Sequence, residues 1–400
     1  MIFRHRPLVR LGAAALLAAG AFTAFGAPAH AAGTETDLAL DVVGTKVADG
    51  VNGKVAFARV TNKGENTPSE LAVRVDVSKL DWSKVVVDPG PACEPEGQAT
   101  PPAFLCHAPK DELPGPGETF ELPLILLKPD GPLAAPYSVP VGFEIVSKDD
   151  TNKENNTKSV NVEFTKESGA DLYVTADDVK NAVKVKNGDE IEFAGDLHAG
   201  DTAALIYDVW NQGDLATAGF KVTVKLPEGV TFTETEDDCE YAAGKGSLVC
   251  TYPELPFVPW SQVGGGDDGV PGGVFCHLLS VGADVKAGAL TGGTVSVEPI
   301  LPAKGVEITS FKIKNKPANM TLLKKADLDG DLDPSDNTDG FAVIVAADGG
   351  AGGGLPVTGA KAGLIGGIGV AVLAVGGALF LIARRRRVVL VTPADEKSTD

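Results

Sequence analysis

A run of alternating aspartates near the C-terminal third of the chain offers the best set of metal ligands in this sequence. Its carboxylates belong to Asp327, Asp329, Asp331, Asp333 and Asp336. Calcium takes six to eight oxygen ligands, and carboxylates on alternating positions of one loop can supply several of them. The run therefore predicts a possible calcium site, with calcium as the one candidate cofactor.

The same run allows a second interpretation. Asp and Asn side chains also cap their own backbone in turns, and a turn before a last strand needs no metal. The EF-hand pattern is absent, because Leu332 occupies the sixth position and Thr338 the twelfth, where that loop requires Gly and Glu. Calcium and a metal-free Asx turn both stay open.

Five cysteines are the next residues with chemistry to offer, and all lie in the middle of the chain. Cys93 and Cys106 flank a proline-rich loop, which predicts a disulfide between them. Three more, Cys239, Cys250 and Cys276, leave one thiol over.

Two pairings are open for these three. Loop length favours Cys239–Cys250, because its separation of 11 resembles the 13 of the first pair. The likeness of residues 274–277 to residues 104–107 favours Cys239–Cys276 instead. We favour the first pairing and keep the second as the alternative.

Catalytic residues are scarce in this sequence. Outside the N-terminal leader there are three histidines, His107, His198 and His277, and two of them adjoin cysteines. No G-x-S-x-G elbow, H-E-x-x-H helix or phosphate-binding P-loop occurs. We therefore expect no enzymatic activity, and keep Trp260 as a candidate ligand contact.

The C-terminus has three features in a fixed order. A pentapeptide comes first, then an apolar run over 362–383, then four arginines: Leu355, Pro356, Val357, Thr358, Gly359 and Arg384, Arg385, Arg386, Arg387. A helix over the apolar run is long enough to cross a bilayer core of about 30 Å. The arginines keep the tail 388–400 on the cytoplasmic side by the positive-inside rule.

These three features together resemble the cell-wall sorting signal of Gram-positive surface proteins, residues 355–387 here, which sortases recognise. The resemblance implies that a sortase cysteine attacks the bond after Thr358 and transfers Thr358 to an amine of the peptidoglycan precursor. The chain would then be the substrate of the sortase, held in the membrane only transiently. The alternative is an ordinary membrane anchor, which the unusual length of the tail 388–400 favours.

The N-terminus predicts export. Arg4, Arg6 and Arg10 precede an apolar stretch, and an A-x-A cleavage site ends at Ala31, so residues 1–31 read as a secretory signal peptide. Ala, Gly, Val and Asp are abundant and Met is scarce, a composition that resembles that of actinobacterial proteins. Secretion also suits disulfides, which persist outside the cytoplasm.

Charge excludes one class of partner. The chain has 35 basic and 54 acidic residues. Processing after Ala31 and Thr358 removes nine basic and three acidic residues, leaving 26 against 51 and a net charge of −25. Nucleic-acid binding needs basic surface, so we expect none.

The middle of the chain carries an internal repeat. Residues 60–64 match residues 209–213, each with Asn followed two residues later by Gly, and both lie between strand-like alternating segments. Such segments separated by Gly, Pro, Asn and Asp are typical of antiparallel strands. The repeat resembles the Ig-like modules of bacterial surface proteins. We therefore predict an all-β chain with two tandem Ig-like antiparallel sandwiches.

The predicted organisation is module 1 at 34–166, module 2 at 168–347 with an insertion near 253–273, and a Gly-rich linker at 348–354. The expected function is a secreted, peptidoglycan-anchored surface protein acting as a stalk or interaction module. The alternatives are an adhesin binding a protein or glycan through module 2, a membrane-retained surface protein, and a surface hydrolase. The sequence identifies no surface ligand.

Overall fold

The computed structural model describes residues 35–97, 101–128, 133, 135–186, 190–253, 255–260, 271–301 and 330–347. The predicted signal peptide, linker, sorting signal and membrane helix all lie outside these ranges, as do Asp327 and Asp329. Within the ranges, no helix is long and apolar enough to cross a membrane.

The regular elements of the described chain are β-strands, apart from one 3-10 turn. Module 1 contains β1 Leu38–Val43, β2 Lys46–Val47, β3 Gly53–Asn62, β4 Ala72–Asp76, β5 Val86–Asp88, β6 Cys93–Glu96, β7 Ala103–His107, β8 Thr119–Leu127, β9 Tyr137–Val146 and β10 Thr157–Phe164. Module 2 contains β11 Leu172–Ala176, β12 Asn181–Lys186, β13 Glu190–Asp196, β14 Thr202–Asn211, β15 Gly219–Lys225, β16 Val230–Phe232, β17 Cys239–Tyr241, β18 Ser247–Tyr252, β19 Gly272–Val281, β20 Gly288–Ile300 and β21 Thr338–Val345. One 3-10 turn, Lys153–Asn155, precedes β10.

Module 1 is a sandwich of two sheets, with strand orders β1-β3-β8-β5 and β2-β10-β9-β4-β7-β6. Strand β9 shows how the sequence produces it, because Val139, Val141, Phe143 and Ile145 are buried while the residues between them are not. This period of two places one face of each strand in the core. Buried residues from both sheets form one hydrophobic cluster.

Module 2 repeats this topology. Its order β17-β18-β15-β20-β21 corresponds to β6-β7-β4-β9-β10, and β14-β19-β16 corresponds to β3-β8-β5. A second cluster of buried residues fills its core. The all-β sandwich class is therefore confirmed, and module 2 adds the hairpin β12–β13 at the edge of one sheet.

The repeated Asn-x-Gly turn is built in the same way in both modules. Asn62 and Asn211 end the ten-residue strands β3 and β14, and both are fully buried. The Asn211 amide donates to two carbonyls, and its Oδ1 accepts from Gly213 N at 3.0 Å. The Asn62 side chain makes the same bonds, including one from Gly64 N at 2.9 Å. Both glycines are required, because a Cβ at either would lie within 2.4 Å of a backbone oxygen.

Two disulfides join neighbouring strands at equivalent places. Cys93–Cys106 links β6 to β7, and Cys239–Cys250 links β17 to β18. The alternative pairing of Cys239 with Cys276 is absent, because Cys276 lies on β19 in the opposite sheet. Strand β19 corresponds to β8, so the likeness of residues 274–277 to 104–107 does not reflect structural equivalence.

Alkylation under non-reducing conditions should modify Cys276 alone. Its thiol is exposed, whereas the other four cysteines are bonded. Burial of part of the side chain, together with Glu236 and Glu234, raises the pKa of the Cys276 thiol, so labelling should accelerate above neutral pH. Peptide mass spectrometry checks this; label on Cys239 would contradict the pairing.

Phe257, which lies in the segment 253–273 expected to be an insertion, contributes to the core of module 2. Phe257 is buried, and its ring stacks on Phe220 with the centroids 4.4 Å apart. Its carbonyl accepts from Asn211, as the carbonyl of Pro114 does from Asn62. Residue 257 therefore belongs to the framework of the repeat. Extra length also arises between β20 and β21, which are separated by many more residues than β9 and β10.

Candidate functional site

A buried lysine lies where the two modules meet. Lys54 is the second residue of β3 in module 1, and its side chain is 0% exposed. Its ammonium lies 2.8 Å from Asp171 Oδ2, 3.0 Å from Asp333 Oδ2 and 2.9 Å from Asp336 Oδ2. All three aspartates belong to module 2. We call Asp171, Asp333 and Asp336 the lysine socket.

Local structure positions two carboxylates of the lysine socket, those of Asp171 and Asp333. Asp171 immediately precedes β11, and its backbone N–H donates to Asn211 Oδ1 at 3.2 Å. Asp333 lies in the turn before β21, where its Oδ1 accepts from the Ser335 hydroxyl at 2.7 Å. This is the Asx-type turn that the sequence allowed as the alternative to a metal site.

In the described part of the predicted calcium loop, the carboxylate oxygens of Asp331 and Asp333 are engaged by other groups. Asp331 Oδ2 accepts from Leu172 N at 2.8 Å, and its Oδ1 accepts from Asp333 N at 3.0 Å. Asp333 and Asp336 contact the Lys54 ammonium. Across the described ranges, no group of three or more His, Cys, Asp or Glu side chains is arranged to hold a metal. Asp327 and Asp329 lie outside these ranges, so calcium stays an untested prediction.

A second ion cluster crosses the same boundary. Arg59 of β3 pairs with Glu121 of module 1 at 2.7 Å and with Asp339 of module 2 at 3.2 Å. Its guanidinium also donates to the carbonyls of Thr338 at 2.9 Å and Val174 at 3.1 Å. Planar guanidinium groups suit such multiple bonding, so one side chain joins both β21 and β11 to module 1.

Neutral contacts complete the interface. The Gln212 side chain pairs with the backbone of Val55, accepting from its N–H at 2.7 Å and donating to its carbonyl at 3.0 Å. A small apolar cluster joins Val43 and Phe57 to Tyr173, with the two aromatic rings 5.6 Å apart. Because these contacts come from several strands of each module, they fix the orientation of one sandwich on the other.

Several backbone N–H groups of module 1 donate to side chains of module 2. The pairs are Gly44 to Ser335 at 3.0 Å, Lys46 to Asp333 at 2.8 Å, Gly50 to Asp214 at 2.9 Å and Thr119 to Asp178 at 2.9 Å. Gly44 has a φ of +75°, and a Cβ there would lie 2.9 Å from Asp336 Oδ2. A side chain at this position would therefore disturb both the turn and the lysine socket.

The lysine socket places three carboxyl groups around one ammonium, and this environment shifts the pKa values of all four groups. Burial raises the pKa of Asp171 to about 7 and that of Asp331 to about 7, despite attraction to Lys54. Burial also raises the pKa of Asp336 well above its usual value. Burial opposes the charged form of Lys54, but the surrounding carboxylates outweigh it and raise the pKa of the ammonium. Asp333 is the exception, because Lys54 and Ser335 overcome burial and lower its pKa.

We expect the free energy of unfolding to fall as pH rises from about 4 to about 7, because folding raises the pKa values of Asp171 and Asp331. In this window the folded chain holds protons that the unfolded chain releases, so the unfolding free energy decreases with pH. Asp331→Asn removes one of these groups and should be less destabilising at pH 8 than at pH 5, measured by denaturant unfolding. Exposed Asp111→Asn is the control, and an equal effect of Asp331→Asn at both pH values would contradict the account.

His277 and the candidate contact residue Trp260 are not part of the lysine socket. His277 is buried in module 2, where Nδ1 lies 2.9 Å from Glu236 and Nε2 lies 3.0 Å from the Tyr207 hydroxyl. Its partners therefore give it a structural role. Trp260 packs against Trp210 with the ring centroids 5.2 Å apart, and both rings are half-buried.

No protein-family model and no curated protein matches the chain. Among similar solved structures is an alpha-2-macroglobulin from Salmonella, with 12% identity, a TM-score of 0.24, and coverage of 79% of this chain but 17% of that chain. The partial N-terminal region of an enterococcal surface protein has 9% identity and a TM-score of 0.23, covering 79% and 97% of the two chains. The B domain of a biofilm associated protein has 7% identity and a TM-score of 0.21, covering 67% and 83%.

One of these neighbours is a surface protein by name and another is named biofilm associated, and the similarity is too low to carry an argument about function. The chain spans about a sixth of the length of the Salmonella protein, 17%. The sheets themselves define the class of this protein, which is a two-module, all-β chain of antiparallel sandwiches.

Proposed function

We propose that this chain is a secreted surface protein that a sortase joins to peptidoglycan through Thr358, and that it acts there as a rigid, non-enzymatic two-module spacer or interaction module. The observation that carries the proposal is the order of pentapeptide, apolar run and four arginines at residues 355–387. The secretory leader at residues 1–31 and two disulfides support an extracellular location.

The module interface supports the rigid part of this proposal. Separate domains joined by small polar interfaces move relative to each other by default. Here Lys54 and Arg59 are both buried in ion clusters that need the two modules in one orientation. The two sandwiches would therefore extend from the wall as one unit, with module 1 distal to the anchoring point.

Thr358→Ala should move the protein out of the wall fraction. Without the threonine side chain a sortase no longer recognises the pentapeptide, so the bond after residue 358 is not cleaved and the variant should stay in the membrane fraction with its tail intact. Fractionation of cells expressing each form, followed by immunoblotting, measures this. Thr392→Ala in the tail is the matched control and should behave as wild type. Equal membrane retention of wild type and Thr358→Ala would support the membrane-anchor alternative.

An adhesin role through module 2 is the second candidate, and the half-buried pair Trp210–Trp260 favours it. Deleting residues 253–273 cannot test it, because the deletion would remove the core residue Phe257. Trp260→Ala is the sharper change. Loss of cell adhesion with an unchanged unfolding midpoint would support the adhesin role. Unchanged adhesion would contradict that role and leave the spacer as the one proposed function.

A further inference from the structure

The lysine socket has a counterpart in module 1. Leu332 N donates to the Ala170 carbonyl at 2.9 Å in module 2, as Thr151 N donates to the Thr36 carbonyl at 3.1 Å in module 1. Aligning the two modules residue by residue from these two hydrogen bonds pairs one residue of module 1 with each aspartate of the lysine socket. The pairs are Asp37 with Asp171, Asn152 with Asp333, and Asn155 with Asp336.

In module 1 the corresponding group needs no cation. Asp37 Oδ1 accepts from Asn155 Nδ2 at 2.7 Å and from Asn152 Nδ2 at 3.3 Å. The two amides thus supply the donors that the carboxylate requires. Module 2 has carboxylates at both amide positions, so its own residues cannot satisfy Asp171 in this way.

The geometry of the lysine socket identifies the kind of cation that fits. Oxygens from all three carboxylates lie 2.8–3.0 Å from one point, the Lys54 Nζ. Charge-assisted N–H···O bonds have lengths of about 2.7–2.9 Å, whereas calcium binds oxygen at about 2.3–2.6 Å. An ammonium group also has three N–H donors, and Lys54 Nζ donates to Asp171 and Asp333 and forms an ion pair with Asp336.

The lysine socket is also buried and incompletely bonded. Asp336 is 0% exposed, and its Oδ1 has no hydrogen-bond partner among the described residues. Lys54 has no equivalent in module 2, because the second residue of the matching strand β14 is Ala203. Module 2 therefore accepts a lysine but does not offer one at this position.

We propose that the end of module 2 is a binding site for one primary ammonium group, that Lys54 is its ligand in cis, and that Asn152 and Asn155 close the same site in module 1. The consequence is a fixed order of modules. Module 1 is the terminal unit of this docking system, and module 2 receives the unit before it with Lys54 as the ligand of the lysine socket.

Chemical rescue tests the proposal. Lys54→Ala in the full chain removes the atoms of propylamine, so propylammonium chloride should raise the thermal midpoint of the variant saturably and leave wild type unchanged. Tetramethylammonium has the same charge but no N–H donor, and it should have no such effect. Failure of propylammonium, or equal effects of the two cations, would overturn the proposal.

A second design covers the case in which Lys54→Ala fails to fold. The triple variant Lys54→Met/Asp333→Asn/Asp336→Asn copies the arrangement of module 1, in which amides satisfy the remaining aspartate. Its unfolding midpoint should lie closer to wild type than that of Lys54→Met alone or of Asp333→Asn/Asp336→Asn. Additive losses in the triple variant would show that the amides do not close the site, and the proposal would be wrong.

Discussion

Replacing Lys54 by Met is expected to lower the unfolding free energy of the chain by about 3–5 kcal/mol, the usual cost of breaking a buried ion pair by removing one partner. The methionine fills a similar volume, so the loss is electrostatic. Asp171 and Asp336 are 0% exposed and would stay buried without a cation. Denaturant unfolding followed by tryptophan fluorescence measures the change.

Lys221→Met is the matched control for this prediction. Lys221 also pairs with a carboxylate at 2.9 Å, that of Glu298, but the two side chains are 36% and 64% exposed. Surface pairs of this kind contribute about 0–1 kcal/mol. If both variants lost the same small amount, the lysine socket would not be the element that joins the modules.

Asn211→Ala is expected to cost about 3 kcal/mol or more, because buried polar groups that lose their partners cost about 1–3 kcal/mol each. The substitution frees the carbonyls of Leu215 and Phe257, 2.8 and 3.0 Å from the amide, and also Gly213 N. The equivalent Asn62→Ala should cost a similar amount in module 1. Equilibrium unfolding of both variants checks the prediction.

Asn161→Ala serves as the control for the asparagine series. Asn161 is exposed in β10, and surface substitutions of this kind usually change stability by no more than about 0.5 kcal/mol. Unequal losses for Asn62→Ala and Asn211→Ala would show that the two turns, although built alike, do not support their modules equally. A negligible loss of unfolding free energy in both variants would show that the Asn-x-Gly turn does not stabilise the repeat.

The strands and the repeat could be predicted from the sequence because their signals are local. Alternation of apolar residues, as in β9, and the Asn-x-Gly turns each depend on a few consecutive residues. The favoured disulfide Cys239–Cys250 also follows from local spacing. The short likeness around Cys276 pointed to the other pairing, because four similar residues lie on strands that are not equivalent.

The lysine socket could not be predicted in the same way. The aspartate run shows the carboxylates, but its cation lies on another module, 279 residues from Asp333. The run by itself therefore leaves a calcium loop and a metal-free Asx turn both open. The signal that could have been used is the pair Lys54 and Arg59, two charges next to the apolar residues 55–58 and 60 of one strand. Charged side chains are almost never fully buried unless they are paired, so both require distant partners.

Mass spectrometry of the C-terminal peptide from muramidase-solubilised walls tests the central claim most directly. The account predicts a peptide that ends at Thr358 and carries a peptidoglycan fragment. A peptide that continues through Asp400, recovered from the membrane fraction with none linked to wall, would contradict it.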